Sequence, residues 1–344
     1  MDRFGDAPGG LKAGKLPPDL LARLLDKIEC TDPRVLLGPA VGEDAAVIDF
    51  GPTSLIAKTD PITFATDLIG WYAVQVNAND VAACGGDPRW FMATVLLPEG
   101  ASPDTAERIF DQLHDATKAL GVALVGGHTE VTIDLSRPIV CGVMLGEVPA
   151  GRFIKSGGAL AGDAIILTKG IAIEGTAVLA REMSSELAAS GMSREALQRA
   201  ERYLFEPGIS VVGEARLARS VPGIHAMHDL TEGGIATGLA ELATASGVGL
   251  AIDAAAVKVL PEPAEICHRL GLDPWGLIAS GALLISVAPE RAEEVVGKLS
   301  KDGSDAAVIG RATVAGEGLK LIEDGSEKEL PSFERDEAAR ALEG

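Results

Sequence analysis

Regular patterning begins at Pro17-Pro18-Asp19, after which Leu20, Leu21, Leu24, Leu25 and Ile28 recur at helical spacing and predict a first helix. From there, short apolar runs alternate with longer amphipathic ones. Ala45–Asp49, Ser54–Lys58, Trp90–Leu97, Val122–Val125 and Ile139–Leu145 read as strands, and the segments near Asp67–Cys84 and Pro103–Leu120 read as helices. The glycine-rich, aperiodic stretch Pro149–Gly162 interrupts the pattern and is the expected boundary between two domains. Beyond it, strands are expected near Ala164–Thr168, Ile224–Ala226, Gly249–Ile252, Ala282–Val287 and Ala306–Ile309. Helices are expected near Gly175–Ala189, Ser193–Tyr203, Ser210–Arg219, Ile235–Ser246, Glu262–Leu270 and Pro289–Leu299. The alternation in both halves implies an α/β (α+β) architecture. The expected division is a lead-in and helix at 1–34, a first domain at 35–148, a linker at 149–162, a second domain at 163–322 and a solvated acidic tail at 323–344.

Composition narrows what such a chain can do. With 344 residues, 47% of them hydrophobic, the chain can bury more than one core. No apolar run reaches the length of a membrane span, and Met1–Gly5 lacks the apolar stretch of a signal peptide, so a cytoplasmic location is expected. A net charge of −20 argues against nucleic acid and anionic membrane surfaces as partners. It does not argue against nucleotides, whose phosphates Mg²⁺ can bridge to carboxylates. Cys30, Cys84, Cys141 and Cys267 are far apart and form no CxxC pair.

Carboxylates near glycines and strand ends carry the chemistry of the first half. Gly42-Glu43-Asp44 turns directly into a strand, placing two acids where metal or phosphate could approach the backbone. An ordinary Asp turn is the alternative. In Thr59-Asp60-Pro61, proline is expected to end strand pairing and leave Asp60 at the mouth of a sheet. Asn77-Ala78-Asn79-Asp80 interrupts a segment otherwise as apolar as a buried helix. Asn77 and Asp80 share a helix face there, and a buried Asp is costly unless paired or metal-bound. Gly126-Gly127-His128-Thr129-Glu130 follows an apolar run and reads as a glycine turn offering groups to phosphate or metal.

The second half offers two candidate anion sites. His225–Gly234 runs from a strand into a helix, with Gly233-Gly234 at the helix start and Thr231 and Glu232 as capping types. His225 and His228 alone are too few ligands for zinc. Thr168-Lys169-Gly170 joins a strand to a helix, where Lys169 could meet a phosphate or simply cap the loop. Gly9-Gly10-Leu11-Lys12-Ala13-Gly14-Lys15 imitates a P-loop, but Leu16 replaces the metal-binding hydroxyl and no strand precedes it.

Taken in series, GEDAAVID at Gly42–Asp49, KTDPIT at Lys58–Thr63, NANDVAACGGDPRW at Asn77–Trp90, GGHTE at Gly126–Glu130, HDLTEGG at His228–Gly234 and LDPWGLIASGALL at Leu272–Leu284 resemble the AIR synthase (PurM-like) superfamily. The likeness is strongest to its hydrogenase-maturation (HypE) and AIR-synthase-related branch. It implies a PurM-like fold: an N-terminal mixed-sheet domain that dimerises, and a C-terminal α/β sandwich domain, with ATP between them. On that resemblance, Asp44, Asp60 and Asp80 bind Mg²⁺, and Asp80, Asp60 and His128 are the catalytic candidates. Asp44, Gly126, Gly127, Thr129, Asp229, Gly233 and Gly234 would contact the nucleotide, joined by Asn77 and Lys169, which are candidates from their own segments. The implied partners are a homodimer mate and a small-molecule or carbamoyl-type (amide-type) acceptor, and the implied reaction phosphorylates a substrate oxygen; a small-molecule kinase like thiamine-monophosphate kinase and a nucleotide-binding maturation scaffold with little turnover are the alternatives. Two departures are visible: HypE ends in a cysteine where this sequence reads Ala339–Gly344, and His128 stands where the thiamine-monophosphate kinase pattern has Asp.

Overall fold

A computed structural model describes residues 15–63 and 67–343. Of the P-loop-like segment only Lys15 falls among them. In the first half, strands β1 (Val35–Leu37), β2 (Ala46–Asp49), β3 (Thr53–Ile62), β4 (Asp87–Pro98), β5 (Ala123–Thr132) and β6 (Ile139–Pro149) accompany helices α1 (Pro18–Leu25), α2 (Ile69–Ala83) and α3 (Pro103–Leu120). The sheet order is β1-β2-β3-β6-β4-β5, antiparallel except for the parallel β4/β5 pair.

The second half holds β7 (Ala164–Thr168), β8 (Ile224–Asp229), β9 (Val248–Asp253), β10 (Leu283–Val287), β11 (Ala306–Val314), β12 (Leu319–Glu323) and β13 (Ser326–Glu329). Its helices are α4 (Ile173–Glu182), α5 (Ser184–Ala189), α6 (Arg194–Glu201), α7 (Val212–Ala218), α8 (Gly234–Ser246), α9 (Pro261–Leu270), α10 (Ala292–Lys301) and α11 (Glu337–Leu342). The second sheet runs β13-β12-β9-β11-β7-β10-β8, with only β12/β9 parallel. Two mixed sheets with helices packed against them make the α+β architecture anticipated from the alternation. Among the described residues, no helix is long and apolar enough to cross a membrane.

Helix α2 determines where the site lies. Fourteen of its fifteen residues, all except Trp71, are buried. It touches β3, β6 and α3 on one side and α7 and β8 of the second half on the other. One apolar core accordingly runs through the seam, from Val47, Ile56 and Val81 to Ile209, Val211 and Met227. A helix wedged between two domains needs apolar residues all round, so any polar residue on it is there at a cost.

Three expectations are corrected. Proline 61 does not end β3, which continues to Ile62 with Pro61 opposite Cys141 of β6. Pairing with β2 stops at Ala57, so the later residues of β3 have a free edge on which a missing N–H costs nothing. Gly126–Glu130 is the interior of β5, not a turn. The residues after 322 are not a solvated tail. β13 completes a hairpin with β12, and Asp336, Glu337, Ala338 and Ala339 are buried. Small apolar residues of α11 supply the contact, with Ala338 joining a cluster of Ala172, Leu179 and Leu277. Acidic composition alone concealed this.

Candidate active site

Asp80 lies on α2 and faces the seam. Its side chain is 4% exposed, its Oδ1 is 3.0 Å from Lys58 Nζ, and its Oδ2 has no partner. Lys58 and Asp60 are two apart on β3 and therefore share a face, which brings Lys58 Nζ within 3.7 Å of Asp60 as well. Asn77 acts on the backbone, its Nδ2 donating to the carbonyl of Ala73 at 2.8 Å and of Asp60 at 3.2 Å. It thereby ties α2 to the stretch of β3 that carries the acid. Gly142, opposite Asp60 on β6, is required by this contact, because a Cβ there would come within 2.4 Å of Asn77 Nδ2.

Asp44 is reached from the connection between the domains and from the second domain. Ser156 Oγ donates to Asp44 Oδ2 at 2.6 Å, and His228 Nδ1 sits 3.0 Å from Asp44 Oδ1. Glu43 accepts from the backbone N–H groups of Ser156 and Gly157 and so anchors the same connection. His228 is clamped on its other side by Glu241 at 3.1 Å, which Lys15 Nζ also contacts at 3.2 Å. Burial alone would lower the His228 pKa, but the carboxylates of Asp44 and Glu241 outweigh it and hold the imidazole well above its ordinary range. Burial likewise pushes Glu241 up, yet the hydrogen bond from His228 and the charge of Lys15 bring it down to about 2. The His228–Glu241 pair therefore braces Asp44. His225, three residues before His228 on a strand, points to the opposite face and pairs with Asp163 at 2.9 Å.

Asp229, next to His228, completes the centre. Ligand oxygens of Asp44, Asp80 and Asp229 lie within 4.8 Å of one another. Among the described residues, neither carboxylate oxygen of Asp229 has a hydrogen-bond partner, nor does Asn77 Oδ1. Burial, reinforced by Asp44, pushes Asp229 up to about 7. Burial also drives Asp80 far above the carboxylate range, against the pull of Lys58. Three convergent buried carboxylates, two of them with orphaned oxygens, cost several kcal/mol unless a cation compensates them. An all-oxygen set of this kind suits a hard divalent cation such as Mg²⁺.

Several residues expected at the site are not brought to it. Lys169 is buried among its own domain's groups, with Nζ 3.1 Å from Glu214 and donating to the carbonyls of Gly208 and Ser210. It holds that loop and has no free donor for a phosphate. The helix-start glycines are also engaged, since Gly233 N–H donates to Asp336 Oδ2 at 2.7 Å and Gly234 N–H to Thr231 O at 3.1 Å. The anion at this helix start is the protein's own Asp336. Asp60, Gly142, Ala93 and Gly127 stand in one row across the sheet. Gly127 is thus three strand spacings, roughly 14 Å, from Asp60 within one subunit. Its glycine serves the ladder, because at φ +152° an added Cβ would collide with Ala93 O at 2.0 Å. Gly126, His128 and Thr129 lie beside it on the exposed edge strand, where His128 contacts Glu130 at 3.2 Å.

Burial sets a second acidic pair apart from the centre. It pushes Glu174 up to about 7 and Asp336 up to about 6, each raised further by neighbouring acids. Both values exceed the unfolded ones, so the folded state binds more protons between about pH 4 and 7. This contribution to stability is complete below about pH 4 and is lost as pH rises through 6 and 7. The expected result is a thermal midpoint that climbs as the metal-free protein is taken from pH 7.5 to 5, with a shallower climb in Glu174→Gln. A midpoint that falls over this interval contradicts the assignment.

Sequence reading missed Lys58, Ser156 and His228 as parts of the centre. Lys58 had a usable signal, the i, i+2 spacing to Asp60. Ser156 and His228 reach Asp44 from 112 and 184 residues away, respectively, and carry no local mark.

These elements are those of a known family. Models described as the N-terminal and C-terminal domains of AIR synthase related proteins match residues 42–148 and 161–322, respectively, and the chain belongs to that family. A carbamoyl dehydratase HypE of Rhizobium leguminosarum bv. viciae is 32% identical over 281 residues, covering 78% of this chain and 76% of the relative. The crystal structure of Escherichia coli HypE, a hydrogenase maturation protein, superposes with a TM-score of 0.71 at 25% identity, covering 83% of this chain and 88% of that one. A HypE structure in complex with ATP gives a TM-score of 0.68 at 26% identity, covering 90% and 92%.

Proposed function

We propose that this protein is a Mg²⁺- and ATP-dependent phosphoryl-transfer enzyme that activates a substrate oxygen, with a carbamoyl or other amide-type group as the favoured acceptor. The observation that carries this reading is the convergence of Asp44, Asp80 and Asp229, with one oxygen of Asp80 and both of Asp229 lacking a partner among the described residues. Mg²⁺ held there would neutralise the phosphates of a nucleotide. Lys58, between Asp80 and Asp60, supplies a fixed positive charge beside the developing phosphoryl charge. The braced His228 orients Asp44, and Asn77 fixes the backbone at Asp60. Positioning and charge neutralisation are the main demands of phosphoryl transfer. The family membership and the ATP complex of a HypE protein support the nucleotide, and the name carbamoyl dehydratase supports the acceptor class. The test is release of phosphate from Mg²⁺-ATP in the presence of carbamoylated peptide or thiamine monophosphate. Turnover with the first supports the proposal, and turnover with the second alone makes the protein a small-molecule kinase.

A second copy of the chain is the proposed cover for β5. Among the described residues this edge strand pairs only with β4, nine of its ten residues are exposed, and it presents Leu124, Val125 and Val131 to solvent. Long apolar edges invite pairing. A dimer closed here would place Gly126–Glu130 at the subunit seam, which gives those residues a route to a site they do not reach within one chain. Sedimentation is expected to show a dimer at micromolar concentration and a monomer for Val125→Lys/Val131→Lys. A wild-type monomer contradicts this.

A further inference from the structure

Away from the carboxylate centre, a cleft of about 710 Å³ opens where the two domains meet, between Asp87, the 148–154 segment and the residues following α7. Its volume is within the range of small-molecule sites, roughly 300–1,000 Å³. Its charge is opposite to that of the molecule as a whole. Arg152, Arg216 and Arg219 line it, against one carboxylate, Asp87. Both Arg216 and Arg219 crowd the same oxygen, Asp87 Oδ1, at 3.0 and 2.8 Å. Their hydrogen bonds hold Asp87 below the usual carboxylate range even though burial pushes it up.

Two guanidinium groups on one carboxylate oxygen leave a positive charge uncompensated, and Arg152 has no side-chain partner among the described residues. Two further cations stand at the border. Arg291 packs its Cγ near Gly223 of the lining, and its buried Nε has no hydrogen-bond partner. Lys298 Nζ donates to Ser220, another lining residue. Three cations of the lining and two at its border thus stand with Asp87 and Glu294, the latter paired with Arg291 at 2.8 Å. This is an excess of three positive charges on a chain of net charge −20. Bidentate guanidinium groups suit phosphate oxygens. Phe153, Ile154, Val221 and Pro222 add an apolar wall to the same lining.

We propose that this cleft is a second ligand site, separate from the carboxylate centre, for a small organic phosphate whose charged group meets the arginines and whose body lies on the apolar wall. The test is calorimetric titration of pyrophosphate and of adenosine 5′-diphosphate in EDTA at constant ionic strength, so that no divalent cation recruits the other centre. Wild type and Asp80→Asn are expected to bind both probes saturably and with equal affinity, the nucleoside diphosphate more tightly. Arg152→Glu/Arg216→Glu, both at exposed positions, is expected to bind at least tenfold more weakly, with a single cooperative thermal transition in buffer as the check of folding. Absence of saturable binding to wild type, undiminished binding to the arginine variant, or loss of binding in Asp80→Asn would each overturn the proposal.

Discussion

Asp80→Asn is expected to abolish the rise in thermal midpoint that Mg²⁺-ATP produces in the wild type, while the metal-free protein loses no stability. A ligand present at a hundred times its Kd stabilises the folded state by about 2.7 kcal/mol, so the effect is well within reach of a thermal scan. The two halves of the expectation have one cause. Asp80 is buried beside Asp44, Asp60 and Asp229, and burial reinforced by these acids outweighs the pull of Lys58. An amide of the same shape removes that repulsion, and with it a cation ligand. Nucleotide affinity in Mg²⁺ should fall by at least ~10²-fold, the upper end of what loss of a mere outer-shell partner costs. Cys84→Ala, one turn along the same helix and equally buried, should retain the response. A stable protein that binds less would identify a site maintained at the expense of stability. A destabilised protein that binds normally would make Asp80 a structural residue.

Lys58→Met carries the other large effect. Removing one partner of a buried ion pair costs about 3–5 kcal/mol when the other stays charged. Here the low end, about 3 kcal/mol, is expected, because Asp80 already holds a proton readily and can become neutral. The sign of the pH dependence follows. With Lys58 gone, the folded-state pKa of Asp80 rises further above its unfolded value, so the deficit should shrink on acidification toward pH 5 and widen toward pH 8. Denaturant unfolding at both pH values measures it. Phosphate release from Mg²⁺-ATP should be lost at every pH. A deficit independent of pH would mean that Lys58 is not the counter-charge of Asp80.

How much of this was legible in the sequence depends on the range of the contacts. Helix α3 runs Pro103–Leu120 as expected because its signals are local: Ser102 caps Thr105 N–H, proline begins it and Gly121 ends it in the left-handed region. Helix α2 was legible because an all-apolar helix with Asn and Asp has few physical explanations. The strands came out too short wherever proline or glycine was read as punctuation. β3 carries Pro61 on a free edge and β5 needs Gly127 for pairing, so both residues sit inside strands. At the centre, Asp44 and Asp80 were identified from their own motifs, while Asp229, expected on the nucleotide, stands with the metal-binding candidates. The capping of Gly233 by Asp336 joins residues 103 apart. No pattern of acidic residues distinguishes such a cap from a solvated tail.

Asp229 tests the account most directly, because the structure groups it with Asp44 and Asp80 and leaves both its oxygens without a partner. The measurement is calorimetric titration of a non-hydrolysable ATP analogue with Mg²⁺ into wild type and Asp229→Asn. The account predicts saturable binding to the wild type that disappears in the variant and is not restored by more Mg²⁺. Equal, Mg²⁺-dependent binding to both proteins would contradict it.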